Sequence, residues 1–310
     1  MFNGKIVFIH DSDSWYLPYA LYQAKSLSPN SEVVLLGPKV SYPNIANVSL
    51  EDLQGSSLEL DFRKAYVHMS ANSESFEFFC FLRWYYLLQF MRRTNTNAVF
   101  CYDSDVLLYS SASEIFEAYH LKDFDCGYLV LGEDEEFTGV TAGTSFWTQA
   151  ALEKFCDFMT KCYCQKQYLD RLKNYWEKHS SEKRSGGVTD MTMLRLFHQE
   201  RLIKATNLTF DQNGNVFDPN INRGDDFGGG AFEIADGQKK VEFINGKPMF
   251  FRVGPTKELA QAHLLHFQGG AKGKMPLYYT GGYFQGKTVS DLKGLAYRLR
   301  GNWRELSKKA

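Results

Sequence analysis

At 310 residues the chain is long enough to bury a substantial core and lies near the upper range for one domain. Its 35 Lys and Arg balance 36 Asp and Glu, so a net charge of -1 supplies no whole-molecule field to draw in nucleic acid or an anionic membrane. The aromatic share is high at 15%, yet the densest run, "FEFFCFLRWYYLLQFM" (76–91), is broken by Glu77, Arg83 and Gln89, which excludes a bilayer span and predicts a buried helix.

The opening "MFNGKIVFIHD" has no long apolar stretch followed by a small-residue cleavage site, so no cleaved secretory signal is expected. "KIVFIH" (5–10), "EVVLLG" (32–37), "NAVFCYD" (97–103) and "DCGYLVLG" (125–132) predict buried strands. Between them, "YLPYALYQAKSL" (16–27) and "SFEFFCFLRWYYLLQFM" (75–91) carry helical patterns. That alternation predicts an α/β fold, a Rossmann-like, mostly parallel sheet with helices on both faces. Ligands in such sheets bind where loops leave the carboxyl ends of strands. Further helices are expected at 149–164, 166–180 and 189–199. Gly-rich turns and an Asn-Gly hairpin signal then predict a β-rich excursion over 222–254. A last apolar stretch, "AHLLHF" (262–267), runs into "QGGAKGK".

Residues 1–286 are expected to form the main domain. The tail, 287–310, has seven basic and two acidic residues, with Leu292, Leu295, Leu299 and Trp303 near helical spacing. A docked terminal helix is expected there, with a weak membrane-surface contact as the alternative. The six Cys (80, 101, 126, 156, 162 and 164) lack metal spacing and predict reduced thiols, which fits a cytoplasmic setting, peripheral at a membrane if the tail binds one. The sequons at Asn47 and Asn207 are then chance matches.

Asp-Ser-Asp occurs twice, at 11–13 and 103–105, each time closing an apolar run. Residues i and i+2 of an extended chain point the same way, so such a pair can offer hard oxygen ligands to one Mg²⁺ or Mn²⁺. The bland alternative is a turn or a helix cap. Asp11 and Asp13 invite a comparison with the haloacid-dehalogenase pattern of an aspartyl nucleophile plus a second Asp. Trp15 stands where that pattern has a small residue, and "GDDFGG" (224–229), the only offer of a distal acidic pair, follows no apolar strand. Asp103 and Asp105 are flanked by strand-like residues on both sides. Burying two carboxylates there is costly unless a cation or hydrogen bonds compensate them, and a cap explains this copy poorly.

"FCYDSDVLLYSS" resembles the Asp-x-Asp segment of nucleotide-sugar-dependent glycosyltransferases of the GT-A fold. "HFQGGAKGK" carries His266, Gly269 and Lys272 at the His-x-x-Gly-x-x-Lys spacing of glycosyltransferase family 8, and "FLRWYYLLQF" places Arg83 where that family has an Arg on the helix before the Asp-x-Asp strand. "HDSDSWYLPYALYQAKSL" is similar to the family's opening loop. "TAGTSFW" (141–147) and "TDMTMLRLF" (189–197) are similar, more loosely, to its Ser-Gly strand and Asp-Gln helix. The resemblance spans roughly residues 5 to 275 in order. It departs where the family's Pro-Trp after the Lys is "GKM", where Met191 replaces a Gln, and where Ala142 and Thr144 flank the position of the Ser-Gly pair.

The resemblance implies a GT-A domain that uses a UDP-sugar donor, UDP-glucose or UDP-galactose favoured, with Mn²⁺ (or Mg²⁺) held by Asp103, Asp105 and His266. Ser104 would lie within the same cofactor-binding segment. Lys272 would donate to the diphosphate, with Gly269 and Gly270 letting the backbone come close. Asp11 and Tyr16 would bound the uracil and ribose pocket, with Trp15 as a stacking neighbour. Arg83 would pair with carboxylates near the metal or reach the diphosphate. Read from the sequence alone Asp190 is a helix N-cap; by resemblance it lies near the donor sugar or the acceptor hydroxyl, and with Arg83 and Lys272 it makes up the expected catalytic set. Without the resemblance, His266 reads as a core-facing strand histidine, and His263 has no functional support. A hexose would pass, with retention, to a saccharide, lipid-linked or protein acceptor, and no nucleic acid is involved. The alternatives are a dehalogenase-like phosphatase using Asp11 and Asp13, and a non-catalytic protein binding nucleotide sugars or carbohydrate.

Overall fold

The structure is a computed structural model that describes residues 2–132, 136–225, 230–255 and 258–306. Short runs of Val, Ile, Leu and aromatic residues form β1 (Lys5–Ile9), β2 (Val33–Gly37), β3 (Ala46–Ser49), β4 (Ala98–Tyr102), β5 (Val106–Leu108), β6 (Cys126–Val130), β7 (Val140–Thr148) and β8 (Ala205–Asn207). All but β5 join one seven-stranded sheet in the order β3-β2-β1-β4-β7-β6-β8. The first four are mutually parallel, β7 runs antiparallel to both its neighbours, and β6 pairs parallel with β8.

The period of two along the strands sorts side chains into two cores. Val7, Ile9, Val34 and Leu36 pack on one face with helices α2 (Ser57–Ala65), α3 (Glu74–Arg93), α5 (Gln149–Cys164) and α7 (Asp190–Glu200). Ile6, Phe8, Val33 and Leu35 pack on the other with α1 (Leu17–Leu27) and the second sheet. The remaining helices are α4 (Ala112–Ala118), α6 (Lys166–Ser181), α8 (Met275–Tyr278) and α9 (Lys287–Leu306). The aromatic run of α3 is buried protein core, with Phe81, Trp84, Tyr85 and Leu88 all sealed from solvent.

β9 (Val216–Phe217) precedes the β-rich excursion, which contributes β10 (Ile234–Ala235), β11 (Gln238–Lys239), β12 (Val241–Ile244) and β13 (Lys247–Phe251), and β14 (Leu259–His266) follows. Strands β12, β13, β14 and β5 form an antiparallel sheet, with β9 beside β14 and a separate β10-β11 ribbon. The expected Asn-Gly hairpin joins β12 to β13: Asn245 and Gly246 both take positive φ, 51° and 76°, which a two-residue turn of primed type requires. The protein is therefore α/β, with a mixed, mostly parallel seven-stranded sheet and a separate antiparallel region.

Several features escaped the sequence pattern. The short β3 and helix α2 carry few large apolar residues, and "NAVFCYDSDVLLY" does not continue as one strand because β5 leaves the first sheet for the second. All six cysteines are free thiols. Among the described residues no helix is long and apolar enough to cross a membrane. Helix α9 docks through its inner side: the Tyr19 hydroxyl donates to Asp291, the Tyr297 ring lies 5.9 Å from that of Trp15, and Arg298 donates to the Gly273 carbonyl at 2.8 Å. Residues 226–229 of "GDDFGG" and 307–310 of the tail lie outside the described residues.

Candidate active site

The second Asp-Ser-Asp copy is the corner at which the chain passes between the sheets. Strand β4 ends at Tyr102, the Asp103 amide donates to the Gly143 carbonyl of β7 at 2.8 Å, and three residues later Val106 starts β5. The β5-β14 register sets Val106 opposite His266, and the Phe267 amide donates to the Asp105 carbonyl at 2.9 Å. Backbone pairing thus delivers His266 to the two carboxylates from 161 residues away in sequence. Its Nε2 lies 3.1 Å from Asp105 Oδ1 and 3.9 Å from Asp103 Oδ2.

One ligand atom from each of Asp103, Asp105 and His266 falls within 4.8 Å of the others. A divalent cation bound at about 2 Å from each needs ligand atoms roughly 3–4 Å apart, so this group could hold a metal. A mixed oxygen and imidazole set suits Mn²⁺ better than Ca²⁺. The position of Gly143 reinforces the fit. A Cβ there would lie 2.7 Å from Asp103 Oδ2 and 3.1 Å from His266 Cε1, so only glycine leaves the cradle open.

Cationic side chains flank the group. Lys272, on the 3₁₀ turn Gly269–Lys274, places Nζ 2.7 Å from Asp105 Oδ2 and 5.5 Å from the centre of the Tyr16 ring. Gly269 opens that turn with a φ of 57°, where a side chain would be strained. Arg83 of α3 donates through Nη1 to Asp103 Oδ1 at 2.8 Å and through Nη2 and Nε to Asp190 Oδ2 at 2.6 and 3.1 Å. Trp84 Nε1 donates to the same Asp190 oxygen at 3.0 Å.

Burial by itself would raise the Asp105 carboxyl, but the charges and hydrogen bonds of His266 and Lys272 outweigh it and hold it well below the usual carboxylate range. Burial works against a charged His266 as well, and there the carboxylates of Asp105, Asp103 and Asp218 prevail and raise its pKa above the ordinary value. Lys272 is raised in the same way, Asp105 outweighing desolvation. Arg83 is likewise raised: burial opposes its charge, and Asp190 and Asp103 more than offset it.

The first Asp-Ser-Asp copy sits differently. Asp11 and Asp13 are both exposed, and Asp13 accepts a hydrogen bond from the Tyr42 hydroxyl at 2.7 Å. Ser104 is buried in the middle of the second copy and meets His10 Nδ1 at 3.0 Å. His10 Nε2 lies 2.8 Å from the Ser14 hydroxyl, so one imidazole ties the loop after β1 to the corner after β4. Burial lowers the His10 pKa, and the ring packs edge-on 5.8 Å from Tyr16.

Two capping expectations are corrected. Thr189, not Asp190, caps α7: its hydroxyl accepts from the Thr192 amide, and the reciprocal bond completes a capping box. Asp190 is the first helical residue, and its carboxylate turns inward to Arg83 and Trp84. The loop after β1 likewise does not end in an Asp cap, since α1 begins at Leu17 with Tyr16 at the cap position and no side-chain bond. Met191, in place of the family's Gln, is 41% exposed beside Asp190.

Sequence reasoning did not single out His10, Trp84, Gly143, Asp218 or Lys239. Asp218 is fully buried; its Oδ2 accepts the His266 amide at 3.1 Å, and its Oδ1 pairs with Lys239 Nζ at 2.9 Å. "FDPN" and "GQKK" look like ordinary turns, and nothing local marks these two as partners. His263, set aside from the sequence, bonds Ser110 and Asp211, away from the Asp103, Asp105 and His266 group.

No protein-family model matches the chain, and no curated protein matches it in sequence. Among solved structures, mouse xyloside xylosyltransferase 1 is similar at 12% identity, with 67% of this chain and 86% of that chain covered and a TM-score of 0.46. The galactosyltransferase LgtC, in complex with donor and acceptor sugar analogues, is similar at 16% identity over 69% of this chain and 76% of that one, with a TM-score of 0.35. The bifunctional glycosyltransferase WbbM is similar at 13% identity over 93% of this chain and 51% of its own length, with a TM-score of 0.47. All three similarities are at under 20% identity, with TM-scores below 0.5.

Proposed function

We propose that the chain is a metal-dependent glycosyltransferase that moves a hexose from a UDP-sugar, UDP-glucose or UDP-galactose favoured, to an acceptor hydroxyl with retention. The observation that carries this reading is the group of half-buried Asp103 with buried Asp105 and His266, set at the carboxyl end of β4 and flanked by Lys272 and Arg83. A divalent cation held there would supply positive charge against a departing diphosphate.

The chain's own side chains would do the rest. Lys272, paired with Asp105 on a glycine-containing turn, would donate to the diphosphate from the side of Tyr16. Asp11 and Tyr16, with Trp15 behind them, would bound the nucleoside. Arg83 would fix Asp103 and Asp190 relative to one another through its fork of donors. Asp190, with one oxygen taken by Arg83 and Trp84, would sit where donor sugar meets acceptor. Met191 supplies no nucleophile, which favours a front-face transfer in which the leaving phosphate oxygen accepts the acceptor's proton.

Thermal-shift measurements with UDP, with and without Mn²⁺, followed by an assay of UDP release from UDP-hexoses, test the reading. Mn²⁺-dependent stabilisation with donor turnover is expected. No Mn²⁺-dependent stabilisation would overturn it, and stabilisation without turnover from any UDP-hexose would replace it with a nucleotide-sugar-binding protein.

A further inference from the structure

An inner pocket of about 310 Å³ opens beside Asp190, lined by Thr189, Met191, Asn220 and Gln268 among others. Thr189 and Met191 flank Asp190 in the chain, and Gln268 follows His266 by two residues, so the pocket lies against the start of α7 and the loop after β14. A larger outer groove of about 670 Å³ runs along α6, lined by Asp170, Asn174 and Lys178 among others. Phe137, Tyr175 and His179 line both, so the two spaces are neighbours along one wall.

The shared wall is a stack of planar groups. The Arg171 guanidinium lies 5.5 Å from the Phe137 ring centre, Phe137 stacks on Tyr175 at 4.2 Å, and Tyr175 lies 5.4 Å from His179. Around that wall the outer groove is polar, with Glu136, Asp170 and Glu182 balanced by Arg171, Lys178 and Arg184, three acidic against three basic. Balanced charge disfavours a polyanion, and a rim of charged side chains disfavours a lipid tail. Planar faces bordered by closely spaced donors and acceptors suit a ring with one C–H face and a hydroxylated edge. A single-sugar acceptor would fill the inner pocket and leave the outer groove without use.

We propose that the groove along α6 binds the further units of an uncharged oligosaccharide acceptor whose terminal sugar occupies the inner pocket beside Asp190. This rests on the glycosyltransferase reading and narrows its acceptor to a neutral glycan of several units.

The test is a neutral-glycan array probed with the full chain, followed by calorimetric titration with the best hexasaccharide and its matching monosaccharide. The hexasaccharide is expected to bind at least about tenfold more tightly, a difference of about 1.4 kcal/mol. Tyr175→Ala should remove most of that gain. Asn174→Trp, which blocks the groove from an exposed helix position, should do the same without disturbing the core. Both variants should keep the full Mn²⁺-dependent UDP thermal shift. No preference for any neutral oligosaccharide over its monosaccharide, or wild-type affinity in both variants, would overturn the proposal, as would selective capture of acidic glycans or peptides. Loss of the UDP shift with glycan binding intact would instead sink the glycosyltransferase reading and leave the groove as a carbohydrate site.

Discussion

Asp105 and Asp13 stand at equivalent places in the repeated tripeptide, yet their surroundings differ in the feature that decides metal binding. Asp105 is 8% exposed between His266 and Lys272, whereas Asp13 faces solvent with Tyr42 on its carboxylate. Asp105→Ala is therefore expected to abolish the Mn²⁺-dependent thermal shift with UDP, while Asp13→Ala trims it only in part; equal losses would mean that the metal does not sit in the second copy. Gly143 offers a sharper probe because it contributes no ligand. Gly143→Ala puts a methyl group 2.7 Å from Asp103 Oδ2, so Mn²⁺ affinity, read by titration against the thermal shift, should fall by about tenfold or more. Retained affinity would show that the Asp103 side chain is free to move aside.

At the scale of elements, the site depends on a corner and a seam. The corner is the three-residue step from β4 to β5, and the seam is the β5-β14 pairing that sets Val106 against His266. Behind the seam the buried Lys239 of β11 donates to Asp218 and to the Asn220 carbonyl, and Asp218 in turn accepts the His266 amide. Lys239→Met would leave the Asp218 charge buried without its cation, a loss of about 3–5 kcal/mol in a chemical-denaturation experiment. A much smaller loss would show that water reaches Asp218 and that the pair does not brace β14. The helices contribute differently. The long α3 brings Arg83 and Trp84 on consecutive positions to one carboxylate, which makes Asp190 a fixed point between α3 and α7. The periodicity of α3 was legible in the sequence, and so was the start of α7. The inward turn of Asp190 was not, because Asp after glycines is equally the signature of a cap, and Thr189 took that role.

On the scale of the whole molecule, stability is expected to respond to acid through groups outside the Asp103, Asp105 and His266 cluster. Asp211 accepts from the Asn213 and Asn215 amides, from the Asn215 side chain and from His263. Burial opposes its charge, but these bonds prevail and lower its pKa to about 2. A carboxyl with a folded pKa below its unfolded value of about 3.9 stabilises fully above pH 4, and that contribution fades as pH falls toward 2. Asp211→Asn should therefore lower the melting temperature at pH 7, keep about half of that difference at pH 3 and lose most of it by pH 2, and a gap undiminished at pH 3 would assign the effect to packing.

The local chemistry of this chain was written in its sequence. Alternating apolar runs specified the strands, the Asn-Gly pair specified the β12-β13 hairpin, and two carboxylates within strand-like residues specified a place that needs compensating charge. Each depends on neighbours within a few positions, where periodicity and turn geometry act. The cross-chain partnerships were decided only by the tertiary fold. Which sheet β5 joins, why Gly143 must lack a side chain, and how Lys239 reaches Asp218 behind His266 all depend on residues brought together by sheet pairing and burial. Pairing over such separations follows from the joint packing of two cores, and no short stretch of sequence contains that information.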